Sequence, residues 1–164
     1  MTDLLFKVLG EDRRPFHGGQ GQWPEPGVWT ETRKVVACRS GWHLCRPQHL
    51  MQWLGPTIWL AEADGEVVET ADKIVAPRAR LIRQLPWDER AARLFAADCA
   101  ERVLPLFESA CPGDDRPRRA IEVARAFAEG RATAAARDAA WAAAWDAERQ
   151  WQTARLMEIL GVPS

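Results

Sequence analysis

The chain has no tyrosine, only three histidines and four cysteines, and almost no net charge, with 22 basic residues against 23 acidic ones. That balance excludes a protein-wide field that would gather nucleic acid or an anionic membrane, so neither is an expected partner. No stretch approaches the roughly 20 apolar residues that cross a bilayer, because Arg, Asp or Glu interrupts every candidate. The opening residues carry Asp3 and Lys7 and lack a basic flank followed by a long apolar run, so they do not read as a secretory signal. A cytoplasmic protein is expected. In that setting Cys38, Cys45, Cys99 and Cys111 are expected as reduced thiols rather than a disulfide framework. Cys99 falls on a helical apolar stripe, where a thiol behaves as a small core residue.

Tryptophan is what the sequence has in surplus, nine residues against five phenylalanines. An indole offers a large contact area and an N–H donor, so part of this surplus is expected to face a partner.

The 164 residues divide by pattern into a mixed α/β domain over 1–86 and a helical subdomain over 87–164. The fold class that follows is α+β: a small, mainly antiparallel sheet with one short helix, then an all-helical half of three helices. In the first part Gly and Pro punctuate short segments. Strands are expected at Leu4–Leu9, Lys34–Ala37, Trp42–Cys45, Thr57–Ala63, Val67–Val68 and Ala79–Leu85, with Asp64-Gly65 as a tight turn between two of them. Glu11 to Thr32 reads as a Gly-rich loop, and Arg46–Leu54 as a helix with Pro47 at its start and Gly55 past its end.

After Pro86 the period becomes helical. Leu94, Phe95, Cys99, Val103, Leu106 and Phe107 form one stripe, behind Asp88 as cap, and Pro105 is expected to kink or end that helix. A second helix spans Pro117 to Glu129, capped by Asp114 or Asp115 and stopped by Gly130, with Arg118 and Arg119 on its polar side. A third runs from Thr133 to Leu160 with an alanine-rich first half. Trp141, Trp145, Leu156 and Ile159 share one of its faces and are read as packing, whereas Trp151 projects to the side and is the better candidate for an exposed contact. Asp98 is read as half of an ion pair with Arg93, Arg102 or an arginine of the second helix.

The densest cluster of reactive residues is Cys38 to Cys45 with His49. Cys38, His43, Cys45 and His49 supply four donors of the kind zinc takes, but a Cys-x-x-Cys pair is missing and His43 and Cys45 share one strand face. The favoured reading is a turn at Gly41 followed by a strand whose His43 and Cys45 face the core or a cleft. No catalytic set assembles around either thiol. The stretch His17-Gly18-Gly19-Gln20-Gly21 lacks the strand-to-helix setting of a phosphate loop and reads as a flexible loop. No cofactor is expected.

Three resemblances attach to these residues. Cys38-x-x-Gly41-x-His43-x-Cys45, with Ala61 to Val68 and Lys73 to Leu85, resembles a domain family of bacterial and phage proteins, which implies a fold and no activity. Gly41 to Cys45 with the short helix after it also looks like the strand-and-helix element of ADP-ribosyltransferase folds. That likeness implies NAD as ligand, with Arg39, Trp42 and His43 at the mouth of a nucleotide pocket. Arg93 to Gly130, with the alanine-rich helix beyond, resembles the helical region of bacterial immunity proteins.

The function expected is a non-enzymatic protein-binding factor of immunity or inhibitor type from a bacterial or phage conflict system. Its partner is a protein, met by a surface bearing Arg118, Arg119 and Trp151. The alternative is an ADP-ribosyltransferase-like enzyme, or its inactive descendant, binding a nucleotide through Arg39, Trp42 and His43.

Overall fold

The computed structural model describes residues 4–36 and 39–159, with side chains as far as Thr153. Cys38 and the side chains of Leu156 and Ile159 therefore lie outside the described residues. The chain forms two compact units, Met1–Asp88 and Glu89–Ser164, each described by itself.

The first unit holds β1 (Leu5–Leu9), β2 (Trp42–Leu44), β3 (Thr57–Asp64), β4 (Val68–Glu69), β5 (Ile74–Ala76) and β6 (Arg78–Gln84). They make two antiparallel sheets of three strands, ordered β1-β3-β6 and β2-β5-β4, where the sequence suggested one. Reciprocal backbone hydrogen bonds between Phe6 and Cys45, both 2.9 Å, join the sheets.

Alternation sorts the side chains. On β1, Leu5 and Leu9 enter one core with Trp23, Trp42, Trp59, Ile74 and Leu81, and Phe6 and Val8 enter a second with Cys45, Ile58 and Trp53. Both faces of β1 are thus covered, and Lys7, sharing the parity of Leu5 and Leu9, is half-buried. The segment expected as a loop between Glu11 and Thr32 is pinned: Gly27, Thr30 and Arg33 donate backbone bonds to Leu81, Ala79 and Pro77 at 2.7, 2.9 and 2.8 Å.

Several strand expectations need correction. Lys34 and Val35 are not in a strand, Val36 forms only an isolated bridge to Ser40, and Ala37 is outside the described residues. Ile74–Ala76 is a strand the sequence reading passed over, since its three buried residues show no alternation. Gly65 does turn the chain at φ +85°, but β3 pairs with β1 and β6, so Asp64-Gly65 closes no hairpin. The short helix is a 3-10 helix over Pro47–Trp53.

The second unit is three helices: α1 (Glu89–Ala110), α2 (Arg116–Ala128) and α3 (Ala134–Ile159), with α2 packed against both others. The α+β class expected from the sequence is the one observed. At the start of α2 Asp114 Oδ1 accepts the Arg116 amide at 3.1 Å, while Asp115 makes no side-chain cap. Gly130, at φ +74°, follows its end, and the Thr133 hydroxyl accepts the Ala136 amide where α3 begins.

Pro105 does not end α1, which runs five residues further to Ala110. The ring is exposed, so the Glu101 carbonyl that loses its amide partner stays on the wet side of the helix. Cys99 is exposed rather than core: α1 buries Ala97 and Leu104, and at about 100° per residue Cys99 sits roughly 200° around from Ala97.

The face of α3 is also corrected. Its buried residue is Ala147, with Ala140, Ala143 and Ala144 half-buried along the same stripe. Small side chains let the helix lie close to its neighbour, which leaves no room for indoles on that side. Trp141 and Trp145 are consequently 64% and 54% exposed, against 39% for Trp151.

Candidate functional site

The first unit carries a cleft of about 530 Å³ where β1 and β2 meet. Arg39, Trp42, His43 and Cys45 all line it, so the structure brings together every residue singled out from Cys38 to Cys45 except Cys38 itself, which lies outside the described residues. His49 does not line it; it lies in the 3-10 helix. Among the described residues no group of three or more His, Cys, Asp or Glu side chains is arranged to hold a metal ion.

The cleft has members that the sequence reading passed over. Lys7, His17, Arg33, Trp53 and Lys73 border it, as do Gly18 and Gly19 from the stretch expected to be a plain loop. The available signal was Lys7 itself, a charge placed between Leu5 and Leu9 on the inward face of an alternating strand. Among the described residues no carboxylate reaches the lining, and Glu62 on β3 is held by Arg80 at 2.6 Å.

Burial and charge set the protonation states here. Burial lowers the Lys7 ammonium to about 8, against a smaller opposing effect of the neighbouring Cys45. Burial pushes the Cys45 thiol up to about 11, so at neutral pH it is a neutral thiol and a poor nucleophile. His43 is held below its ordinary value, first by burial and then by the nearby charges of Lys7 and Lys73. Two indoles brace the cations: Arg33 lies 4.1 Å from the Trp42 ring centre and Lys7 5.4 Å from that of Trp23.

The second unit has a groove of about 510 Å³ walled by all three helices. Ala97, Ala100, Ala120, Ala124 and Ala144 line it, and their methyl groups are too short to fill the space. Val103 and Trp141 are exposed on its walls, and Arg93, Arg137 and Glu148 supply charge around it. Trp145 extends the indole surface from Trp141, with ring centres 5.7 Å apart.

The arginines singled out by sequence are engaged in ion pairs. Arg118 binds Glu108 at 2.6 Å and Arg119 binds Asp115 at 2.9 Å. Asp98 pairs with the helix-two residue Arg125 at 2.6 Å, and the same guanidinium takes Glu101, which ties α1 to α2.

Residues 87–155, which span nearly all of this helical unit, match the family described as Imm-5 like putative immunity protein. No curated protein and no solved structure matches the chain. Among the described residues no helix is long and apolar enough to cross a membrane.

Proposed function

We propose that the chain is a non-enzymatic protein-binding factor of immunity type, from a bacterial or phage conflict system, whose partner is a toxin protein. The observation that carries this reading is an apolar groove, with two exposed stacked indoles at one wall, inside the segment that matches an immunity family. Exposed Trp is costly to keep in water and is the residue type most enriched where partners bind tightly. The partner is therefore expected to lay an apolar segment into the alanine-floored groove and to cover Trp141 and Trp145. Arg118 and Arg119, already paired, would contribute at the rim, where charge governs encounter more than affinity.

The test is capture from the native host followed by native mass spectrometry. A stoichiometric companion whose growth-arresting action is relieved by this chain, and whose binding weakens at least about tenfold in Trp141→Ala/Trp145→Ala, supports the reading. A companion bound equally by the double variant, or relief of toxicity that survives it, moves the surface elsewhere.

A further inference from the structure

The cleft of the first unit departs from the near-neutral balance of the whole chain. Among the described residues four cations border it, Lys7, Arg33, Arg39 and Lys73, and no carboxylate does. Two are answered from nearby: Arg33 by Glu31 at 2.6 Å and Lys73 by Asp72 at 3.6 Å. Lys7 and Arg39 are not, for among the described residues no carboxylate pairs with either. An unanswered ammonium set against indole and thiol costs folding energy that a bound anion would return.

Aromatic rings line the cleft as well, and Lys73 Nζ lies 5.3 Å from the ring centre of one of them, Trp53. His17 Nε2 donates to the carbonyls of Trp53 and Leu54 at 2.8 and 3.0 Å, which fixes the ring. The Trp53 indole N–H donates to the Asp72 carbonyl at 2.9 Å, and the His17 and Trp53 rings stand edge to face at 5.6 Å. Gly18 and Gly19 bring backbone to the cleft with no side chain to fill it. The volume, about 530 Å³, is that of a site for one small organic molecule.

We propose that this cleft binds a nucleoside diphosphate, with its phosphates held by Lys7 and Arg39 and its base lying against His17 and Trp53. A bare oxyanion would use the cations and leave the aromatic rings idle, whereas a nucleotide uses both. Among the described residues no carboxylate stands in the lining, and the proposal is one of binding alone. It is separate from the partner groove of the helical unit and does not rest on the immunity reading.

Calorimetry on the full chain at neutral pH, with ADP and with pyrophosphate, tests it. ADP is the diphosphate half that NAD also carries. Saturable ADP binding is expected, at least about tenfold weaker in Lys7→Met and in Arg39→Ala, and about tenfold weaker again for pyrophosphate. Met keeps the length of the Lys7 stem, and Arg39 lies in an exposed turn, so loss of binding in Arg39→Ala is not loss of fold. Absence of saturation at millimolar ADP, or affinity unchanged in both variants, overturns the site. Equal affinity for pyrophosphate and ADP overturns the nucleoside assignment.

Discussion

Trp141 and Trp145 stack on the surface of α3, their ring planes 20° apart, while Ala147 two residues on is buried. The helix is therefore inverted relative to a simple hydrophobic reading, its smallest residues packed and its largest displayed. The physical cause is distance. Alanine stripes allow α2 and α3 to approach closely, and a close approach expels bulky rings to the flanks.

Removing the displayed rings should cost little stability. Trp141→Ala and Trp145→Ala are each expected to lower unfolding free energy by less than about 1 kcal/mol, whereas Leu104→Ala, buried on α1, should cost about 2–4 kcal/mol. Urea unfolding followed by far-ultraviolet circular dichroism compares them. A Trp145→Ala loss equal to that of Leu104→Ala would mean that the indole is covered in solution.

Gly41 makes a second prediction. It sits at φ +111°, and a Cβ there would come 2.6 Å from Val75 Cγ1 and 3.1 Å from the Ala76 carbonyl oxygen. Gly41→Ala thus meets both backbone strain and a clash at the edge of β2, and a loss of about 1–3 kcal/mol is expected. Because Gly41 also borders the cleft, ADP affinity should fall with it. Unchanged denaturation would show that the turn relaxes to a right-handed conformation.

Elements with a strong period were legible from sequence, and those defined by distant pairing were not. The alternation of β1, β3 and β6 and the breaks at Pro86, Gly130 and Pro47 located their elements to within a few residues. Ile74–Ala76 has no period to detect, and the division into two sheets depends on the Phe6 to Cys45 pair, which joins residues far apart in the chain. The cleft was half visible for the same reason. Arg39, Trp42 and His43 are neighbours in sequence, whereas Lys7, His17, Trp53 and Lys73 reach them only through the fold. On α3, a bulky apolar stripe outweighed an alanine stripe in the reading, although helix packing favours the smaller residues.

Thiol reactivity should follow exposure and protonation together. Cys99 is exposed on α1, Cys111 is half-buried, and Cys45 is buried with its thiol pushed up to about 11. Among these three described thiols, brief iodoacetamide treatment at pH 8, read by peptide mass spectrometry, should label Cys99 first and Cys45 last. Early labelling of Cys45 would contradict the closed packing of the Phe6, Val8 and Ile58 core around it.

The most telling prediction concerns Lys7 and pH. Its folded value of about 8 lies below the ordinary 10.5, so between those limits the unfolded chain holds more protons than the folded one, and stability rises with pH across that window. Below pH 8 the penalty of the charged ammonium is present in full. Cys45 acts in the opposite sense: raised from 9.0 to about 11, it contributes stability below pH 9 that disappears as pH passes 11. His43, which also feels Lys7, is held below its ordinary value and is neutral throughout this range. Lys7→Met is therefore expected to be more stable than the parent at pH 7 by about 1–3 kcal/mol, and the difference should shrink towards zero near pH 10. Urea unfolding of both proteins at pH 7, 8.5 and 10 measures it. A Lys7→Met protein less stable than its parent at pH 7 would mean that the ammonium already has a favourable partner, and the argument for a bound anion would fail with it. The expected result, a substitution that stabilises the chain yet weakens ADP binding, would mark Lys7 as a residue retained for its ligand.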